Sequence, residues 1–290
     1  MIRINKTQYN VKHFPDGTQM LMDVPQFNHT LPLEFDWKYH SDEELMTLWY
    51  LVSHYRQNGY TGTMTLKMSY CPNARMDRVY KANEVFTLKY FCNMINMMAF
   101  DKVIICDPHS NVCAALLDRV EVRDNIPYII DTIARVAYEN KVNEMIIYFP
   151  DYGAYNKYHE RFKEKLSHMK SVKLGYVYGK KTRDWDTGKI TGLEIVNEQN
   201  VDLSDKVVLM VDDIVSYGGT MYYGALELKN MGCGEIYAFA THVEYSVLDA
   251  EKGVLLKALN DGTVKRLYCS RSLFMGEHSK IVHAHKSVIV

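Results

Sequence analysis

Along the chain, short apolar runs of strand length alternate with longer segments whose apolar residues recur at helical spacing. The first helical pattern puts Leu45, Leu48, Trp49, Val52 and Tyr55 on one face. Ser41 and Glu44 stand ahead of it as a capping box, and Gly59 ends it. A strand is predicted from Thr63 in TMTLKMSY, followed by a polar loop, CPNARMDRVYKANE. A helix from about Glu84 to Met98 and a short buried strand from Val103 to Cys106 come next. The second half repeats the alternation. Pro127 suits the first turn of a helix carrying Ile130, Ile133 and Val136. Met145 to Phe149 reads as a strand, and PDYG then opens another helix. Val207 to Val211 is apolar throughout, as expected of a strand covered on both faces. Met221, Ala225, Leu228 and Met231 form the inward face of a helix stopped by Gly232, and a strand follows from Glu235 to Ala240. This order predicts an α/β fold of two successive units that meet near residue 125.

Composition adds limits rather than a function. With 47% hydrophobic and 24% charged residues the chain can bury a substantial core. A net charge of −1 gives no broad attraction to nucleic acid or to an acidic membrane, so any anion site must be built locally. No stretch approaches the roughly 18 apolar residues of a membrane helix. No apolar run follows the first positive charges, so a cytoplasmic protein is expected. The six cysteines form no C-x-x-C pair and are expected to be reduced and buried.

The segment VVLMVDDIVSYGGT, Val207 to Thr220, carries the clearest chemistry. A buried strand ends in Asp212 and Asp213, and a turn with Ser216, Tyr217, Gly218, Gly219 and Thr220 then opens a helix. Ligands of parallel sheets bind beyond the carboxyl ends of the strands, where this turn falls. Small residues let backbone N–H groups and the helix N-terminus hold a phosphate. Paired carboxylates suit the vicinal hydroxyls of a ribose, or a hydrated Mg²⁺. Taken alone, the segment also fits an ordinary strand–turn–helix in which the acids cap the helix.

The segment resembles the phosphoribosyl-diphosphate signature of the type I phosphoribosyltransferase fold. Further segments resemble the ribose-phosphate pyrophosphokinase family in the order that family has them: FPDGT from Phe14, NARMDR from Asn73, VIICDPHS from Val103, FPDYG from Phe149 and GKKTRD from Gly179. The resemblance implies two phosphoribosyltransferase-like domains with parallel sheets, over residues 1–125 and 126–290. It implies diphosphate transfer from ATP, with Mg²⁺, to ribose 5-phosphate or to a 5′-extended ribose such as ADP-ribose.

By the same resemblance Asp212, Asp213, Ser216, Tyr217, Gly218, Gly219 and Thr220 bind the sugar phosphate. Lys181 and Arg183 close over the transferring diphosphate, with Lys180 competing for the lysine role. Arg75, Asp77, Arg78 and His109 meet ATP, His109 and Asp151 meet the metal, and Phe14 and Asp16 reach the adenine of a neighbouring subunit. A homo-oligomer, at least a dimer, is therefore expected. Ser216 and Tyr217 depart from the family pattern, which commonly has an acid and a Thr there.

Overall fold

The computed structural model describes residues 1–26, 28–166, 171–183 and 190–285. The chain divides into two compact units, Met1–Asp124 and Asn125–Val290. The first begins with β1 (Ile2–Ile4) and β2 (Thr7–Tyr9), then a small separate hairpin of β3 (Lys12–His13) and β4 (Gln19–Met20). After it come β5 (Leu33–Trp37), α1 (Glu43–Gln57), β6 (Met64–Met68), α2 (Thr87–Met97), β7 (Lys102–Cys106), α3 (Asn111–Leu116) and β8 (Val120–Arg123). The sheet order is β2-β1-β5-β6-β7-β8. Strands β5 to β8 run parallel, while β1 pairs antiparallel with both β2 and β5. Leu33, Phe35 and Trp37 in β5 and Met64, Leu66 and Met68 in β6 are buried at every second residue, the period of a pleated strand.

The second unit holds α4 (Ile126–Asn140), β9 (Glu144–Phe149), α5 (Tyr152–Leu166), β10 (Lys173–Arg183), β11 (Ile190–Val196), β12 (Val207–Val215), α6 (Gly219–Asn230) and β13 (Ile236–Val243). A 3₁₀ turn (Tyr245–Leu248), α7 (Val254–Asp261), β14 (Leu267–Cys269) and β15 (Ile281–His283) complete it. Its sheet runs β11-β10-β9-β12-β13-β14-β15, parallel except where β11 folds back on β10. Ile146, Tyr148, Val208 and Met210 face one core, with Ala225 and Leu228 of α6 and Leu255 of α7. Met145, Ile147, Phe149, Val207, Leu209 and Val211 face the other, with Ile129 and Ile133 of α4 and Tyr158 and Phe162 of α5. Two covered faces explain why these strands are apolar throughout rather than alternating.

Several local expectations are corrected. Ser41 and Glu44 make no capping box, because the Glu44 carboxylate turns to other donors. It accepts from the Trp37 indole at 2.9 Å, the His40 N–H at 2.9 Å and the Met1 ammonium. The next helix begins at Thr87, not Glu84, since Glu84 folds back to accept from the Tyr80 N–H at 2.8 Å. β12 runs on through both acids to Val215, because β13 pairs with it as far as Val243. Met231 lies past the last turn of α6 and is exposed. The six cysteines are free, and Cys71 and Cys113 meet inside the first unit, with sulfurs 2.7 Å apart. No helix among the described residues is long and apolar enough to cross a membrane.

Candidate active site

In the second unit the acids of β12 divide between the two sheet faces. Strand alternation puts Asp212 on the side of Met210, beneath α6, and Asp213 on the side of α5. Lys157 of α5 donates to Asp213 Oδ2 at 3.3 Å. The Asp213 N–H donates to Asp212 Oδ1 at 2.8 Å. Burial, and then the adjacent Asp213 charge, push the Asp212 carboxyl well above the usual carboxylate range, with Asp151 adding to the effect. Sequence reasoning missed Lys157. It stands six residues past Asp151 in a polar helix, and no local pattern separates it from a solvated lysine.

Beyond the acids the chain turns at Gly218, in the left-handed region with φ 80°, and enters α6 at Gly219. A methyl at Gly218 would stand 2.2 Å from the Leu255 Cβ, so glycine is required by both conformation and space. The Tyr222 N–H donates to the Gly218 carbonyl, and the Leu255 N–H donates to the Tyr217 carbonyl. The turn is thus fixed to both α6 and α7. The Ser216 hydroxyl lies 2.9 Å from that of Ser246, which in turn donates to Glu244. Tyr217 is 40% exposed. With Thr220 in the first turn, this helix start presents N–H groups at the carboxyl edge of the sheet, the arrangement that holds a phosphate.

Asp151 lies two residues past β9, and its Oδ1 accepts from the Ala154 N–H at 2.9 Å, so it caps α5. GKKTRD is largely strand. Gly179 to Arg183 belong to β10 and pair antiparallel with β11, Lys180 standing opposite Glu194. Lys180 is exposed. The side chains of Lys181 and Arg183 lie outside the described residues, as does all of Asp184.

In the first unit, Asp77 is 5% exposed and accepts from Arg78 through two parallel bonds, 2.7 and 2.8 Å. The Arg78 guanidinium holds the Asp77 carboxyl down to about 2, with smaller help from Ser110 and His109. Four residues from two loops, those after β6 and β7, therefore meet here. Arg75 and His109 are exposed on those loops. FPDGT forms the tip of the β3–β4 hairpin. Asp16 Oδ1 accepts from the Thr18 N–H at 3.0 Å and the Thr18 hydroxyl at 2.7 Å, and Phe14 is 47% exposed rather than core.

Residues 128–251, from α4 to the turn before α7, match the phosphoribosyl transferase domain. A ribose-phosphate pyrophosphokinase of Pyrococcus abyssi is 27% identical over 259 residues, 89% of this chain and 83% of that protein. One from Sulfurisphaera tokodaii is 29% identical over 180 residues, 62% of this chain. Across most of its length the chain is similar to ribose-phosphate pyrophosphokinases. The match spans 57%, little more than half, of the Sulfurisphaera protein's own length. The fold agrees with that of a phosphoribosylpyrophosphate synthetase from Mycobacterium smegmatis. The likeness covers 95% of this chain and 85% of that one, with TM-score 0.71 at 15% identity.

Proposed function

We propose that the chain is an ATP-dependent diphosphokinase that moves the β,γ-diphosphate of ATP to the anomeric hydroxyl of ribose 5-phosphate. The products are phosphoribosyl diphosphate and AMP. A bond forms between the anomeric oxygen and the β-phosphorus, the bond from that phosphorus to the oxygen bridging to the α-phosphate breaks, and the hydroxyl proton is lost. The observation that carries the reading is β12 delivering Asp212 and Asp213 just ahead of the glycine-started helix α6. The acids accept hydrogen bonds from the ribose hydroxyls, while Gly218, Gly219 and Thr220 hold the 5-phosphate.

Arg75 and Arg78 hold ATP phosphates, Asp77 fixing the plane of Arg78. Lys181 and Arg183 neutralise charge on the transferring diphosphate, since such transfer needs positioning and charge more than covalent chemistry. Phe14 and Asp16, at an exposed hairpin tip, meet the adenine of a second copy, which makes the working form at least a dimer.

Magnesium fits this acid set. Mg²⁺ is held by one or two carboxylates with phosphates and waters, not by an all-protein cage. Among the described residues no three His, Cys, Asp or Glu side chains form such a cage. Burial, and then the adjacent Asp213 charge, raise the Asp212 carboxyl, a cost that a nearby cation would offset. Asp151 would hold the ion in the second unit, directly or through water, and it would supply neutralisation of the diphosphate; His109 is the metal candidate of the first unit.

One feature favours a second acceptor. Tyr217, where relatives commonly carry a Thr, offers an exposed ring beside the phosphate turn, which suits a 5′-extended ribose such as ADP-ribose. The test is to incubate the protein with Mg²⁺-ATP and either acceptor and follow AMP and sugar-diphosphate by mass. Ribose 5-phosphate is expected to yield both, and chelation by EDTA to stop the reaction. Product from ADP-ribose alone moves the acceptor, and no AMP with either overturns the proposal.

A further inference from the structure

Tyr148, the second-last residue of β9, is fully buried, and its hydroxyl has no hydrogen-bond partner among the described residues. It lies on the face of the sheet that α6 covers. Tyr148 pairs with Met210 of β12 on one side and Val177 of β10 on the other. Asp212 and Gly179 are then its diagonal neighbours, two residues further toward the carboxyl edge. Such positions lie about 7–8 Å apart, within reach of an aromatic side chain.

The surroundings are cut to fit this ring. A methyl at Gly179 would stand 2.5 Å from the Tyr148 hydroxyl, and one at Gly224 of α6 would stand 2.8 Å from both ring and hydroxyl. Two glycines on two different elements thus make room for one phenol. Gly179 begins the stretch that leads to Lys181 and Arg183, and Gly224 lies one turn past Thr220. The phenol is therefore packed against the root of the cationic hairpin and the helix of the phosphate turn, on Asp212's side of the sheet.

The two acids differ in what answers them. Asp213 receives the Lys157 ammonium on the α5 face. Asp212 receives the Asp213 backbone N–H on Oδ1. The group on its own face with a donor to spare is the Tyr148 hydroxyl, whose proton is held firmly by burial and by the charges of Asp151, Asp212 and Glu227.

We infer that Tyr148 is a positioning residue: its hydroxyl donates to the Asp212 carboxylate, directly or through one internal water, when the sugar is bound. That bond orients the carboxylate toward the ribose hydroxyls, and the same ring sets the spacing between the β10 hairpin root and α6. The inference rests on the diphosphokinase reading for the identity of the sugar.

Tyr148→Phe removes only the hydroxyl. The expected result is a fall of about ten-fold in kcat/KM for ribose 5-phosphate, the size of one hydrogen bond to a charged group. The KM for ATP should stay within about two-fold, and the melting temperature should be unchanged or higher, because no buried polar group loses a partner in the sugar-free protein. Gly224→Ala, which displaces the ring, should give the same sugar-specific loss with a lower melting temperature. Wild-type kinetics in Tyr148→Phe overturn the inference. So does an equal loss toward both substrates with a lower melting temperature, since that marks packing alone. Wild-type protein that binds ribose 5-phosphate by calorimetry yet releases no AMP sinks the diphosphokinase reading instead. The inference is then decided by whether Tyr148→Phe weakens the measured sugar affinity about ten-fold.

Discussion

The ligand-facing loops of the two units are held by opposite means. In the first unit, the loop after β6 is pinned by charge: Arg78 grips Asp77, and Glu84 folds back onto the Tyr80 N–H. In the second, the turn after β12 is pinned by backbone and packing, with Gly218 pressed under Leu255 and main-chain bonds to α6 and α7. Their acids diverge accordingly. Asp77 sits beside a cation and is driven toward ionisation, whereas Asp212 sits beside another acid in a covered site and is driven toward protonation.

The largest break in this comparison is Asp212→Asn. AMP release should fall by about a thousand-fold, because the sugar loses a charged acceptor aimed at it. The fold should gain: a carboxyl raised above its unfolded value contributes stability that is lost as pH rises through the folded value. The variant should therefore melt higher than wild type at pH 8, with the difference closing toward pH 4. A lower melting point at pH 8 would show that the Asp212 carboxyl is not raised by its buried setting.

Next in size is Gly218→Ala. It forces a left-handed residue to carry a side chain and drives that side chain into Leu255, costing about 2–4 kcal/mol in urea unfolding. A loss under about 1 kcal/mol would mean that the turn is not set by packing.

The smallest effect belongs to Asp77→Asn. Freed from its partner, Arg78 should raise the KM for ATP by about three- to ten-fold, leaving the KM for the sugar unchanged. Here the pH sign reverses. A carboxyl held down to about 2 contributes stability above its unfolded value, lost as pH falls toward 2. Wild type and variant should thus differ at pH 7 and converge between about pH 4 and 2.

Much of this was legible in the sequence. The apolar run from Val207 and the Asp212–Asp213 pair ahead of Gly218 and Gly219 announced a buried strand, a turn and a helix start in that order, while the sugar-phosphate reading of that turn rests on the resemblance. The alternation of strand and helix gave the α/β class. What was not legible depends on partners distant in the chain. Lys157 meets Asp213 across fifty-six residues. The phenol of Tyr148 reads as one more apolar strand position until Gly179 and Gly224 are seen against it. Glu44 has the spacing of a capping box, yet Trp37 and the N-terminus offer it better donors. Asp151 was assigned to a metal, and the fold also uses it as a helix cap.

The continuation of β12 through both acids carries one more consequence. Because neighbouring residues of a strand face opposite ways, Asp212 and Asp213 are not interchangeable copies but hold separate posts on two sides of a wall. Deleting a single residue upstream within β12 would turn Asp213 toward α6 and put Ile214 opposite Lys157, whereas inserting one would put Asp212 opposite Lys157 and Val211 in the post beneath α6. The loops around this strand are free to change length over time. The strand itself can change only in steps of two.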